Sequence, residues 1–108
     1  MDANNLFDGI PAAHADELFT PLHQVGGLRI ERIVSQGQAS PDGFWYDQEE
    51  HEWVLVVEGS ATIEFEGAAS PTVLTRGSYL FIPAHVRHRV VRTDPVRQTV
   101  WLAIFYQP

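Results

Sequence analysis

Short runs that alternate apolar with polar residues, each closed by a turn signal, constrain this chain more than any other feature. Leu28 and Ile30 stand opposite Arg29 and Glu31, and Ala61, Ile63 and Phe65 alternate with Thr62, Glu64 and Glu66. A period of two puts successive side chains on opposite faces of an extended segment, so these runs read as half-buried strands. Trp53 to Val57, Thr72 to Leu74, Tyr79 to Ile82, His88 to Thr93 and Thr99 to Tyr106 add further short strands, and Phe44-Trp45-Tyr46 begins another. Gly26-Gly27, Ser40-Pro41-Asp42-Gly43, Gly59-Ser60, Arg76-Gly77 and Thr93-Asp94-Pro95 punctuate them with residues suited to turns. Eight or nine short strands at regular spacing predict an all-β sandwich or small barrel. The 108 residues suffice for one domain with a modest core.

Residues 1–27 read as an N-terminal arm, and residues 28–108 as the barrel. Between Pro11 and Phe19 the sequence suits one or two helical turns, with proline tolerated at the start. Leu6, Phe7, Ile10, Leu18, Phe19 and Leu22 are more apolar than a free tail needs, so the arm is expected to pack on the barrel or on a partner subunit. His14 and His23 are expected at the surface.

The run from Gly77 to His88 gathers the candidate chemistry. A glycine suited to positive φ precedes the apolar run Tyr79 to Ile82. Pro83 then ends the strand, and His85 and His88 follow three apart. A second stretch, Gly43 to Gly59, carries Tyr46, Gln48, His51, Glu52 and Trp53. Imidazoles and carboxylates held at strand edges can ligate metal or carry protons.

Taken together, the two stretches resemble the paired motifs of the cupin family. Gly77, Pro83 and His88 match the second motif, with His85 standing where the family often has glycine. Glu52 and Gly59 match the end of the first. The resemblance covers roughly Arg29 to Tyr106. It implies a double-stranded β-helix, the jelly-roll barrel, with a divalent metal (Zn, Mn, Fe or Ni) held inside by two histidines, a glutamate and the second-motif histidine. Glu52 and His88 carry over as ligands or as catalytic groups. The histidine pair does not: one register supplies Tyr46 and Gln48, the other Trp45 and Asp47. The candidate ligands are therefore His88, Glu52, Gln48 and His85, with His51 and Tyr46 behind them. This set binds first-row metals more weakly than three imidazoles and a carboxylate. Adjacent to Glu52, His51 points to the other face on a regular strand unless a bulge intervenes.

Tyr46, Trp53 and His51 are expected to shape a pocket around Glu52. An aromatic wall there would exclude water and raise the carboxyl pKa, which suits a general acid or base. The resemblance implies metal-assisted isomerase, lyase or dioxygenase chemistry on a small organic molecule. Two alternatives are a sensor cupin that binds without turnover and a homodimeric structural domain with a vestigial site. Whether the protein is an enzyme stays open.

Charge and composition narrow the partners. The formal net charge is −7, and all seven basic residues are arginines. That balance argues against nucleic acid, whose phosphates need a basic face. Arg87, Arg89 and Arg92 lie near the histidines and either hold an anionic ligand or stand solvated at strand edges. No cysteine is present, so thiolate ligands and disulfides are excluded. No run is long enough to span a membrane as a helix, and the first residues lack a secretory pattern; the cytoplasm is the expected location.

Overall fold

A computed structural model describes residues 1–108. It contains eight strands and no helix: β1 (Leu18–Val25), β2 (Leu28–Ser35), β3 (His51–Glu58), β4 (Ala61–Phe65), β5 (Thr72–Leu74), β6 (Tyr79–Ile82), β7 (His88–Thr93) and β8 (Thr99–Tyr106). They form two antiparallel sheets, one of five strands in the order β1-β2-β8-β3-β6 and one of three in the order β5-β4-β7. The fold is all-β, as the alternation predicts, and its two facing sheets form the jelly roll that the cupin resemblance implies.

Register fixes which residues look inward. Arg29 pairs with Phe105, Phe105 with Glu52, and Glu52 with Ile82. Directly paired residues share a face, so this row crosses the inner surface of the larger sheet. The next residues along, Leu28, Tyr106 and His51, form a row on the outer surface. Inward Val54 and Val56 on β3 meet Trp101 and Ala103 on β8, and Ala61, Ile63 and Leu74 close on them from the smaller sheet. All of these are buried. The core therefore fills the space between the sheets, and Glu52 and His88 lie at its edge rather than outside it.

The β3–β4 connection depends on one glycine. Gly59 has φ +85°, and a Cβ there would lie 2.5 Å from Thr99 Oγ1 and 2.7 Å from Thr99 Cα. Only a residue without a side chain fits both demands.

Two local expectations change. The helical turns expected between Pro11 and Phe19 are absent; the segment is irregular until β1 begins at Leu18. So short a helix nucleates poorly, and its backbone finds other partners. His14 N–H donates to Gln36 Oε1, and Gln38 Nε2 donates to the Ala15 carbonyl. From Leu18 onward the chain pairs with β2 as the edge strand of the larger sheet. Further back, Arg32 holds the arm by donating to the carbonyls of Leu6 (2.9 Å) and Asp8 (2.7 Å). The strand expected from Phe44 shrinks to a single bridge between Tyr46 and His88, because the turn at Pro41 (Phe44 N–H to Pro41 O, 3.0 Å) ends just before it.

Candidate functional site

The two motif stretches are joined by their backbones. Tyr46 N–H donates to His88 O (2.7 Å), and His88 N–H donates to Tyr46 O (3.1 Å). Nearby, His85 N–H donates to Gln48 O at 2.7 Å. These bonds bring Tyr46, Gln48 and His88 to the mouth of the space between the sheets, where Glu52 projects from β3. All four line one cavity of about 80 Å³. Ile33, Val54, Ile63, Ile82, Val90, Trp101 and Phe105 supply most of the remaining wall. A water needs only about 10–15 Å³ of such volume, so the cavity holds several waters or a small organic fragment.

His88 is buried, and its ring stacks on Tyr46 with centroids 5.3 Å apart. Nδ1 lies 2.8 Å from the Val86 carbonyl. A carbonyl can only accept, so Nδ1 carries the proton and Nε2 of the neutral ring keeps its lone pair. Burial lowers the imidazole pKa, partly offset by the Val86 carbonyl. The bare Nε2 lies 3.8 Å from Glu52 Oε1, too far for a direct hydrogen bond. A ligand atom beside the pair is within reach of both.

Glu52 is the most perturbed group. Burial pushes its carboxyl up to about 7 against the opposing effects of a Gln48 hydrogen bond and the Arg29 charge, with Glu31 adding to the rise. Desolvation dominates because no cation meets the carboxylate directly. Arg29, in the same inner row, lies 4.2 Å over the Phe105 ring and donates to Glu31 and Glu50 instead. Burial also raises the Tyr46 phenol, helped by the charges of Glu17 and Glu52, so it remains a donor.

Sequence reasoning left the first-motif register open; the structure brings Tyr46 and Gln48, not Trp45 and Asp47, to the cavity. Three other candidates lie elsewhere. His51 and Trp53 flank Glu52 on a regular strand and so face outward. His51 accepts a hydrogen bond from Ala84 N–H and packs between Phe81 and Tyr106, while Trp53 packs on Tyr79. His85 is exposed and lies 2.8 Å from Asp47 Oδ1. Its φ of +65° explains its position in the motif: the family's glycine slot requires a left-handed backbone, and here a histidine adopts it.

Two wall residues escaped the sequence reading. Glu17 and Phe19 come from the arm and line the same cavity. Glu17 accepts from Ser35 Oγ–H, and Ser35 Oγ in turn accepts from Trp101 Nε1–H at 3.0 Å. Excess apolar character in the arm hinted that it packs, but nothing local marks Glu17 as inward.

A model of the cupin domain matches residues 32–105, more than half of the chain. The chain belongs to the cupin family. A candidate mannose-6-phosphate isomerase from Ralstonia eutropha is similar to it over 100% of both chains, with 52% identity and a TM-score of 0.95. A cupin superfamily protein from Desulfitobacterium hafniense shares 20% identity over 92% of this chain and 84% of its own, with a TM-score of 0.73. An RmlC-like cupin from Methanocaldococcus jannaschii, described as a double-stranded β-helix, shares 14% over 91% and 86% with a TM-score of 0.69. These last two show the fold alone. No curated protein matches the chain.

The resemblance to cupins implies a divalent metal held by three imidazoles and a carboxylate, and this chain offers fewer strong donors at the cavity. At the cavity stand one imidazole nitrogen and two carboxyl groups, Glu52 and Glu17, beside an amide and a phenol, but no three His, Asp or Glu side chains gather closely enough to hold an ion. A catalytic zinc site takes three strong protein ligands. The fully buried polar atoms that lack a partner, His14 Nε2, Arg32 Nε and Arg89 Nε, all belong to residues outside the cavity wall. The donor set does not fit a resident metal of the expected kind.

Proposed function

We propose that this cupin's cavity is a proton-transfer site for a small organic molecule, of the isomerase type. One observation carries the reading: a buried carboxyl with a pKa of about 7 lies 3.8 Å from an imidazole nitrogen whose lone pair is free. A carboxyl that keeps its proton near neutral pH beside an imidazole held in its neutral form suits proton movement next to a carbonyl. In an α-hydroxycarbonyl compound, Nε2 of His88 takes the proton from the carbon beside the carbonyl while protonated Glu52 gives its proton to the carbonyl oxygen. The enediol that results has gained one proton and lost one. Loss of the neighbouring hydroxyl proton to Glu52 and return of a proton from His88 to the other carbon complete the isomerisation. The surrounding apolar wall keeps bulk water from the intermediate. The 52% identical Ralstonia protein, a candidate isomerase, supports the same reaction class.

Deuterium exchange tests this across a panel of small hydroxycarbonyl compounds. In D2O the protein should place deuterium beside the carbonyl of at least one small hydroxyaldehyde or hydroxyketone. Glu52→Gln and His88→Gln should each slow exchange by about 100-fold or more. A second reading, binding without turnover, draws support from Tyr46 and Gln48 occupying the two first-motif positions that hold histidines in other cupins. Exchange no faster than in buffer across the panel favours that reading and rejects the first.

A further inference from the structure

The charges around the cavity restrict what it can take. Two carboxyl groups, Glu17 and Glu52, enter the wall, and no arginine does. The chain has seven arginines and no lysine, and each arginine is engaged elsewhere. Arg29 is covered by Glu31 and Glu50. Arg32 holds the carbonyls of Leu6 and Asp8. Arg76 pairs with Glu58, Arg87 with Glu66 and Arg97 with Asp94. Arg89 donates to the Ser40 and Pro41 carbonyls, and Arg92 to Ser60 Oγ. His88 is the sole imidazole in the wall; burial favours its neutral form. A phosphate or carboxylate entering here would be desolvated beside two carboxyl groups with no cation to meet it, which is strongly unfavourable.

Glu17 is held for a different kind of ligand. Trp101 Nε1–H donates to Ser35 Oγ, and Ser35 Oγ–H donates to Glu17 Oε2. This relay holds one carboxylate oxygen, Oε2, and Oε1 accepts from no donor of the protein. Across the cavity, Glu52 and His88 Nε2 wait for a donor at the other end of the ligand. We infer that the cavity selects small molecules that present hydroxyl or protonated amine groups to Glu17 and Glu52 and that carry no phosphate or carboxylate. This rests on the reading of the cavity as a small-molecule site and narrows it. It also separates this chain from the phosphorylated sugar in the name of its Ralstonia relative.

Matched ligands test the inference. Glycerol, ethanolamine and glycerol 3-phosphate, with mannose and mannose 6-phosphate as a larger pair, would be titrated while the Trp101 indole and His88 ring signals are followed by NMR. An uncharged or amine ligand is expected to shift both signals saturably, and each phosphate ester should bind at least tenfold more weakly than its parent. Glu17→Gln, which keeps the shape and removes the charge, should weaken ethanolamine binding at least tenfold and narrow the gap between glycerol and its phosphate. A phosphate ester that binds through these signals as tightly as its parent overturns the inference but leaves the cavity a ligand site. Unchanged ethanolamine binding in Glu17→Gln also overturns it. Silence of both signals for every ligand overturns the small-molecule reading itself.

Discussion

The two faces of the larger sheet are built from the same strands and put similar residues to different use. On the inner face, Glu52 is buried against Phe105 and Ile82 with its carboxyl raised to about 7. One residue away on the outer face, His51 and Trp53 pack among Phe81, Tyr106 and Tyr79 at the surface. The second motif repeats the contrast: His88 is buried with its tautomer fixed by Val86, while His85, three residues earlier, stands in solvent beside Asp47. Chemistry follows from which face a residue takes, because burial is what moves a pKa and frees a lone pair from water.

The largest expected effect compares two tryptophans. Trp101 is buried and anchors Ser35, whereas Trp53 is half-buried on the outer face. Trp101→Ala should cost about 4 kcal/mol in urea denaturation, from lost contacts and the cavity left behind. Trp53→Ala should cost about half as much or less. Equal losses would mean that the outer face is as much a core as the inner one.

Acidity gives the next effect. Glu52 is raised from an ordinary 4.5 to about 7 in the folded chain. Its contribution to stability is therefore fully present below pH 4.5 and is lost as pH rises through 7, a change of about 3 kcal/mol. Glu52→Gln should remove that slope, so that the variant gains on the wild type between pH 4.5 and 8. His88 has the opposite sign, because its pKa is lowered: its contribution is present above 6.5 and is lost as pH falls through its folded value. His88→Gln should accordingly gain on the wild type in acid. Parallel pH profiles for wild type and Glu52→Gln would remove the distinction between inner and outer carboxylates.

The smallest effect concerns His85. Its left-handed backbone costs about 1–2 kcal/mol for a non-glycine residue, and the Asp47 contact on an exposed surface returns less than about 1. His85→Gly should leave the melting temperature unchanged or slightly higher. His85→Val, branched at Cβ in a left-handed conformation, should lower it. A large loss in the glycine variant would assign His85 a structural role that its exposure does not suggest.

These contrasts also show what was legible in the sequence. Alternation and turn residues gave the strands, and motif spacing pointed to Glu52 and His88, because strand parity and a proline-fixed bend are local properties; the choice of Tyr46 and Gln48 over Trp45 and Asp47 needed the backbone pairing of Tyr46 with His88. The same parity already turned His51 outward on an unbulged strand, and applied equally to Trp53 it places that residue on the outer face as well. His85 belonged to a backbone slot rather than to the site, and the family's glycine there was the clue. The arm was the hardest to read. Its helical propensity yielded to pairing with β2, and the entry of Glu17 into the cavity depends on Ser35 and Trp101, far along the chain. Contacts of that kind leave no periodic trace.

The most direct test is the titration of the Glu52 carboxyl carbon by NMR, in protein labelled at glutamate and assigned with Glu52→Gln. A midpoint near 7 is expected, with the His88 ring remaining in its Nδ1–H form as the carboxyl loses its proton. A midpoint in the ordinary range near 4.5 would contradict the proton-transfer site, because Glu52 would then be ionised at neutral pH with no proton to give.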